Sequence, residues 1–202
     1  MRKQQALLFL ISIFVLCPIV SCRTSKNFMT KESAISTIYV GTYTGQLSKG
    51  IYQYSLQKTG KLMKIGLVAE TDNPSFLAKS EDSKFLLAVN EVGAENVNGT
   101  VSSYTIENEG LKFIDKKSSG GTYPCFVTIN EKGYVLTANY GDGKVGLLKL
   151  KKNGALSNLL DIQEHYGKGA SSRQEGPHAH SVWFEGDENK VISVDLGTNE
   201  LW

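Results

Sequence analysis

From Ile38 onward, short apolar runs alternate with glycine, asparagine and charged residues along the whole chain. Runs of this kind, rich in Val, Ile, Tyr and Phe and bounded by turn residues, predict β-strands. No stretch keeps its apolar residues at helical spacing for three turns. The pattern therefore predicts an all-β protein.

The predicted strands recur in a repeating unit. The run that ends at Asn90 matches the run that ends at Asn139, 49 positions later, and similar runs begin at Ile38 and Val191. Further strands recur around them, and glycine turns, such as the one at Gly154, are predicted to begin the last strand of each unit. About four strands in one repeat are typical of a β-propeller blade. Solenoids and sandwiches are the alternatives, but a sandwich would not repeat its own sequence at a fixed period.

The number of repeats predicts how many blades of a propeller the chain contains. Residues 37–202 hold three units and the start of a fourth, about three and a half blades. A propeller closes with about four to eight blades. We therefore expect the chain to be a truncated propeller, the first part of a longer protein. An open edge of this kind would favour self-association.

The beginning of the chain is predicted to be an export signal. Arg2 and Lys3 precede an apolar run that is too short for a comfortable membrane span. The run ends in Ile-Val-Ser-Cys22, which resembles the lipobox of bacterial lipoproteins, in which the cysteine is lipidated. We therefore expect a signal peptide over 1–21, a tether over 22–36, and an exported protein anchored to a membrane only through lipid on Cys22. An ordinary signal peptide or a short membrane anchor is the alternative.

Charge and cysteine content exclude several classes of function. The chain has 22 Lys and Arg against 20 Asp and Glu, and two of the cations lie in the predicted signal. A nearly neutral remainder argues against nucleic acid as a partner. With Cys17 in the signal and Cys22 lipidated, Cys125 remains alone, so we expect no disulfide, metal or cofactor. Cys125 is predicted to be a buried, inert thiol.

One stretch, residues 173–181, concentrates side chains suited to catalysis. It contains Arg173, Glu175, His178 and His180, and the two histidines share one face if a strand begins there. Imidazole can exchange protons near neutral pH, and guanidinium can bind a phosphate or carboxylate. The alternative is a Gly-Pro turn entering a strand, with the histidines bonded to backbone carbonyls.

The repeat itself favours a functional interpretation of this stretch. Aligning the units places Tyr123 opposite His178 and Cys125 opposite His180, so the imidazoles depart from the repeat. The connection that precedes them is also unusually long, and long loops on a rigid frame often carry sites. His165, within that connection, is predicted to be a solvated loop residue.

The order of these motifs resembles the lactonase family of seven-bladed β-propellers, which includes propeller-type 6-phosphogluconolactonases and carboxymuconate cyclase. The matching segments are Tyr-Val-Gly-Thr-Tyr-Thr at 39–44, Asn-Pro-Ser-Phe-Leu at 73–77, Leu-Ala-Val-Asn-Glu at 87–91, Gly-Thr-Tyr-Pro-Cys at 121–125, Ala-Asn-Tyr at 138–140, Arg-Gln-Glu-Gly-Pro-His-Ala-His-Ser at 173–181, and Asp-Leu-Gly-Thr-Asn at 195–199. The resemblance implies hydrolysis of a sugar lactone such as 6-phosphoglucono-1,5-lactone. A surface propeller that binds protein or glycan, or an inactive remnant, is the alternative.

Lactone hydrolysis would assign roles to these residues. It requires an activated water, a donor for the developing oxyanion and an anchor for the substrate. We expect His178 or His180 to act as the base and the other as a donor, Arg173 to bind an anionic group, and Glu175 to orient an imidazole or Arg173. Three side chains at equivalent strand ends are expected to bind substrate around the central channel: Asn90, Asn139 and Asp195. For the two asparagines, turn capping within each blade is the alternative.

Overall fold

The computed structural model describes residues 34–94, 97–186 and 190–202, and their secondary structure is all-β. The predicted signal peptide, Cys22 and most of the predicted tether lie outside the described residues. The tether prediction extends too far, because Ala34 begins the first strand and Ser36 pairs with Leu56. Within the described ranges, no helix has the length and apolar character needed to cross a membrane.

The described strands form four antiparallel sheets, in which strands that are consecutive in the chain are neighbours. Sheet 1 contains β1 (Ala34–Val40), β2 (Gly50–Gln57) and β3 (Leu62–Glu70). Sheet 2 contains β4 (Leu77–Lys79), β5 (Phe85–Asn90), β6 (Thr100–Glu107) and β7 (Gly110–Ser118). Sheet 3 contains β8 (Pro124–Ile129), β9 (Tyr134–Asn139), β10 (Lys144–Lys149) and β11 (Asp161–Glu164). Sheet 4 contains β12 (Ala179–Phe184), β13 (Val191–Asp195) and β14 (Glu200–Leu201).

This topology confirms the repeat read from the sequence. The matched runs that end at Asn90 and Asn139 are β5 and β9, the second strands of sheets 2 and 3. The first strands β4, β8 and β12 pack beside one another, so each sheet stacks on the next as blades do.

Each contact between consecutive sheets holds its own apolar cluster. Ile51 and Leu86 belong to the cluster between sheets 1 and 2, and Val89 and Leu148 to the cluster between sheets 2 and 3. Val182 joins sheet 4 to sheet 3. Fully burying one such side chain stabilises the fold by about 1.5–3 kcal/mol. The packing between sheets therefore holds the ends of neighbouring sheets in fixed relative positions.

The fourth strand of sheet 3 begins later than the sequence predicts. The turn at Gly154 closes a short hairpin in which Leu150 faces Leu156, and β11 starts only at Asp161. Gly154 has a φ of +84°, and a β-carbon there would overlap the ring of Phe85. Because this turn packs against sheet 2, it cannot also begin the outer strand of sheet 3.

Candidate active site

The same backbone hydrogen bond fixes the start of the first strand in sheets 2, 3 and 4. The amide of the residue after the second strand donates to a backbone carbonyl in the segment that leads into the first strand: Glu91 to Asn73 (2.9 Å), Tyr140 to Tyr123 (3.0 Å) and Leu196 to His178 (3.0 Å). We call the surface at this end of the sheets the rim, formed by Tyr43, Ser75, Glu91, Cys125, Tyr140, His178 and His180. Equivalent positions on the rim carry side chains of different chemical character in successive sheets.

Cys125 and His180 occupy equivalent places on the rim. The pairing of β8 with β9 shifts between Pro124 and Phe126, and the pairing of β12 with β13 shifts between Ala179 and Ser181. Each of the two residues is therefore the bulged residue of its strand. Their equivalence agrees with the alignment of the repeats, which places Cys125 opposite His180. They also touch, because the Cys125 thiol lies 3.5 Å from the His180 carbonyl oxygen.

His178 is held through both of its ring nitrogens. Its Nδ1 lies 2.8 Å from the carbonyl oxygen of Tyr140, and its ring stacks on the Tyr140 ring at 4.5 Å. A carbonyl only accepts, so Nδ1 carries a proton. Nε2 lies 3.3 Å from Oε1 of Glu175, to which it donates when the ring is protonated. His178 is thus a fixed element of the rim rather than a free base.

The imidazole of His180, in contrast, is exposed. It meets Tyr140 edge-on at 5.8 Å, and its ring nitrogens have no hydrogen-bond partner among the described residues. It borders a surface depression shared with Gln174 and Leu196. An exposed imidazole beside a depression can take a proton from a water molecule that attacks a bound substrate.

Glu175 and Arg173 lie in the exposed part of the connection that leads to β12. The pKa of Glu175 is lowered, first by a hydrogen bond from its own backbone amide and then by His178 and by the charge of Arg173. The structure thus brings Glu175 to His178. Arg173 remains exposed, and its role as an anion-binding group remains a prediction.

Asp195 is a buried connector, 2% exposed, rather than a group on the open rim. Its Oδ1 accepts the backbone amides of His178 (2.9 Å), Gly197 (2.8 Å) and Thr198 (2.9 Å). Burial acts to raise the pKa of this carboxyl, but the hydrogen bonds from His178, His165 and Thr198 outweigh it and leave the pKa lowered. Asp195 therefore fixes the position of the His178 backbone through a buried carboxylate.

His165 corrects a prediction, because the sequence places it in solvent and the structure buries it to 5% exposure. Its Nδ1 lies 2.7 Å from Oδ2 of Asp195, and its ring stacks on Trp202 at 4.6 Å. The carboxylate of Asp195 recruits this histidine from the long connection, which a loop prediction cannot foresee.

Asn90 and Asn139 are also buried, and each forms hydrogen bonds within its own sheet and to the segment that precedes that sheet. Asn90 donates to the Asp72 carbonyl (2.6 Å) and accepts from Ser102 (2.7 Å). Asn139 donates to the Lys144 carbonyl (3.0 Å) and accepts from Ser119 (2.6 Å). These contacts favour capping within each blade over the substrate-binding role.

The sequence analysis missed Tyr43, Glu91 and Tyr140 as rim residues. Tyr140 contacts both histidines, and Glu91 takes the equivalent place one sheet earlier. Following the repeat one position beyond Asn90 and Asn139 would have found both. The described residues contain no group of three or more His, Cys, Asp or Glu side chains placed to hold a metal ion.

Comparisons with known proteins agree with this architecture. The family model described as "Lactonase, 7-bladed beta-propeller" matches residues 37–202. The 6-phosphogluconolactonase of Bacillus subtilis (strain 168) is 36% identical over 168 residues, which cover 81% of this chain and 47% of that protein. The structure of the periplasmic gluconolactonase of Pseudomonas aeruginosa is 28% identical with a TM-score of 0.76, covering 83% of this chain and 49% of that one. A Lactobacillus plantarum protein structure is 33% identical with a TM-score of 0.73, covering 82% and 47%. The chain thus spans about half the length of these relatives.

Proposed function

The chain belongs to the lactonase family of seven-bladed β-propellers, and we propose that it contributes the rim of a sugar-lactone hydrolase. The observation that carries the proposal is the exposed imidazole of His180, which has no hydrogen-bond partner among the described residues and lies beside a fixed His178 and Tyr140. The names of the B. subtilis and P. aeruginosa relatives support a gluconolactone, with or without a 6-phosphate, as the substrate.

In the proposed reaction, a water molecule attacks the lactone carbonyl carbon while His180 accepts a proton from that water. The bond between the carbonyl carbon and the ring oxygen then breaks, and protonated His180 returns the proton to the departing ring oxygen. The product is the open hydroxy acid, and the enzyme is regenerated. A positioned proton acceptor of this kind contributes about 10²–10⁴-fold to the rate.

The contacts of His178 support a different role for this residue in the proposal. With Nδ1 bonded to Tyr140 and Nε2 facing Glu175, it keeps the aromatic ring of Tyr140 against His180. Glu175 orients His178, and Arg173 is available for an anionic group of the substrate. Of the two histidines that the sequence leaves open, His180 is therefore the proposed base.

The test is His180→Ala in the protein as its native host produces it, because the described residues supply four of the seven sheets of such a ring. We expect kcat for gluconolactone hydrolysis to fall about 10²–10⁴-fold with unchanged thermal unfolding. Cys125→Ala is the matched control, since it truncates the equivalent bulged residue one sheet earlier. Equal kcat in the His180→Ala variant and the native protein would contradict the assignment.

We further propose that the protein is exported and lipidated at Cys22. The basic start, the short apolar run and the Ser-Cys22 junction support this proposal, and one relative is described as periplasmic. Labelling the native host with a fatty-acid analogue should mark the protein, and Cys22→Ala should abolish the label. A labelled Cys22→Ala variant, or an unlabelled native protein in the cytosol, would contradict it.

A further inference from the structure

Glu91 stands on the rim directly after β5 in sheet 2, two sheets before the proposed base in sheet 4. It follows Asn90 as Tyr140 follows Asn139, and its amide makes the equivalent backbone hydrogen bond. Tyr140 contacts His180 of the next sheet, and the Glu91 charge, after burial, raises the pKa of the thiol of Cys125, which also lies in the next sheet. Because the Cys125 thiol contacts the backbone carbonyl of His180, Cys125 lies between the part of the rim that carries Glu91 and the strand that carries the proposed base.

Neighbouring groups hold Glu91 in place. Its Oε2 accepts a hydrogen bond of 2.8 Å from the hydroxyl of Tyr43. Its backbone is fixed at both ends by Asn73, through the amide (2.9 Å) and the carbonyl (3.1 Å). The carboxylate is half-buried and forms no ion pair with the described lysines or arginines. Glu91 thus presents a positioned carboxylate on the rim, and its Oε1 accepts no hydrogen bond from the described residues.

The groups around Glu91 restrict what it can bind. The pKa of Tyr43 is raised, by burial and then by the hydrogen bond to Glu91, so its hydroxyl remains a donor. Burial, and then the charge of Glu91, raises the pKa of Cys125 to about 12, so the neighbouring thiol is neutral. A carboxylate in this setting accepts hydrogen bonds from hydroxyl groups and repels phosphate or carboxylate groups.

We infer that Glu91, positioned by Tyr43, binds hydroxyl groups on the sugar part of the lactone and sets the specificity of the site. This inference rests on the proposed function, and it names the part of the substrate that this end of the rim recognises. Polyhydroxylated lactones gain these hydrogen bonds, whereas a lactone without hydroxyl groups does not. Glu91 acts in binding and takes no part in the proton transfers at His180.

The test compares two substrates in the Glu91→Gln variant of the native protein. For glucono-1,5-lactone we expect KM to rise about tenfold with kcat within about twofold, since a hydrogen bond to a charged group is replaced by a neutral one. For δ-valerolactone, which has no hydroxyl groups, kcat/KM should stay within about twofold. Tyr43→Phe should raise KM for gluconolactone about threefold, because it releases the carboxylate without removing it.

Glu109→Gln is the matched control, since Glu109 is an exposed carboxylate in the turn between β6 and β7, at the far end of sheet 2. Equal losses with both substrates, or no loss in Glu91→Gln, would overturn the inference. Absence of lactone turnover by the native protein would instead count against the proposed function. Calorimetry with gluconolactam, a non-hydrolysed analogue, then decides: weaker binding to Glu91→Gln than to Glu109→Gln supports the inference, and equal binding overturns it.

Discussion

Sheets 3 and 4 begin with the same backbone and different chemistry. In both, the first strand has a bulge at its second residue, and the same hydrogen bond links the residue before it to the residue after the second strand. Sheet 3 places Cys125 at the bulge and Asn139 at the end of its second strand. Sheet 4 places His180 and Asp195 at these positions. The repeat therefore supplies a frame in which the chemistry of the rim changes by substitution at fixed positions.

The change from Asn139 to Asp195 shows how the frame is adapted. Asn139 bonds only within sheet 3 and to the segment that precedes it. Asp195 gathers three backbone amides, including that of His178, and also binds His165 from the long connection. A carboxylate can accept all of these bonds, whereas an amide must also donate. The Asp195 position thus ties the long connection to the histidine-bearing segment of the rim.

Replacing the two equivalent residues by alanine should give the largest contrast in stability. Asp195→Ala leaves His165 and three backbone amides without their acceptor, so we expect the free energy of unfolding to fall by about 4 kcal/mol. Asn139→Ala should cost about 2 kcal/mol. Denaturant unfolding of the native protein and both variants measures the difference.

Turnover provides the second readout for this pair. Because Asp195 holds the amide of His178, Asp195→Ala should also lower kcat for gluconolactone, about tenfold. Asn139→Ala should leave kcat within about twofold, since no rim histidine depends on it. Equal unfolding and equal kcat in the two variants would show that sheet 4 differs from sheet 3 in sequence only.

The repeat made much of this fold predictable, because each blade has the same pattern of apolar residues in its strands. The equivalence of Cys125 with His180 followed from the same repetition. The burial of His165 did not follow, because it depends on Asp195, which lies thirty positions further along the chain. The late start of β11 depends on Gly154 packing against Phe85 of another sheet. Such contacts between distant segments leave no periodic pattern in the sequence.

Lowering the pH should reduce the difference in stability between the native protein and the Asp195→Asn variant. The pKa of Asp195 is lowered from its ordinary value of 3.8, so its charge stabilises the fold above that pH and the contribution is lost as pH falls below it. Asp195→Asn should therefore unfold about 1–2 kcal/mol more easily than the native protein at pH 7. The gap should narrow below about pH 4. Thermal unfolding across pH 3–7 measures it, and a gap independent of pH would show that the charge of Asp195 contributes nothing.

The smallest effect is expected at Cys125, which takes the place of His180 one sheet earlier. Burial, and then the Glu91 carboxylate, raises the pKa of its thiol to about 12, so about one thiol in 10⁴ is ionised at pH 8. Cys125→Ser should leave kcat within about twofold. The rate at which iodoacetamide modifies the native thiol should rise about tenfold with each unit of increasing pH up to about pH 12, since only the thiolate reacts. In the Glu91→Gln variant the thiol should react faster at a given pH, because a neighbouring negative charge is gone. Rapid modification at pH 8, or a large loss of turnover in Cys125→Ser, would make Cys125 a reactive group like its counterpart His180, and the contrast between the two sheets would then lie elsewhere.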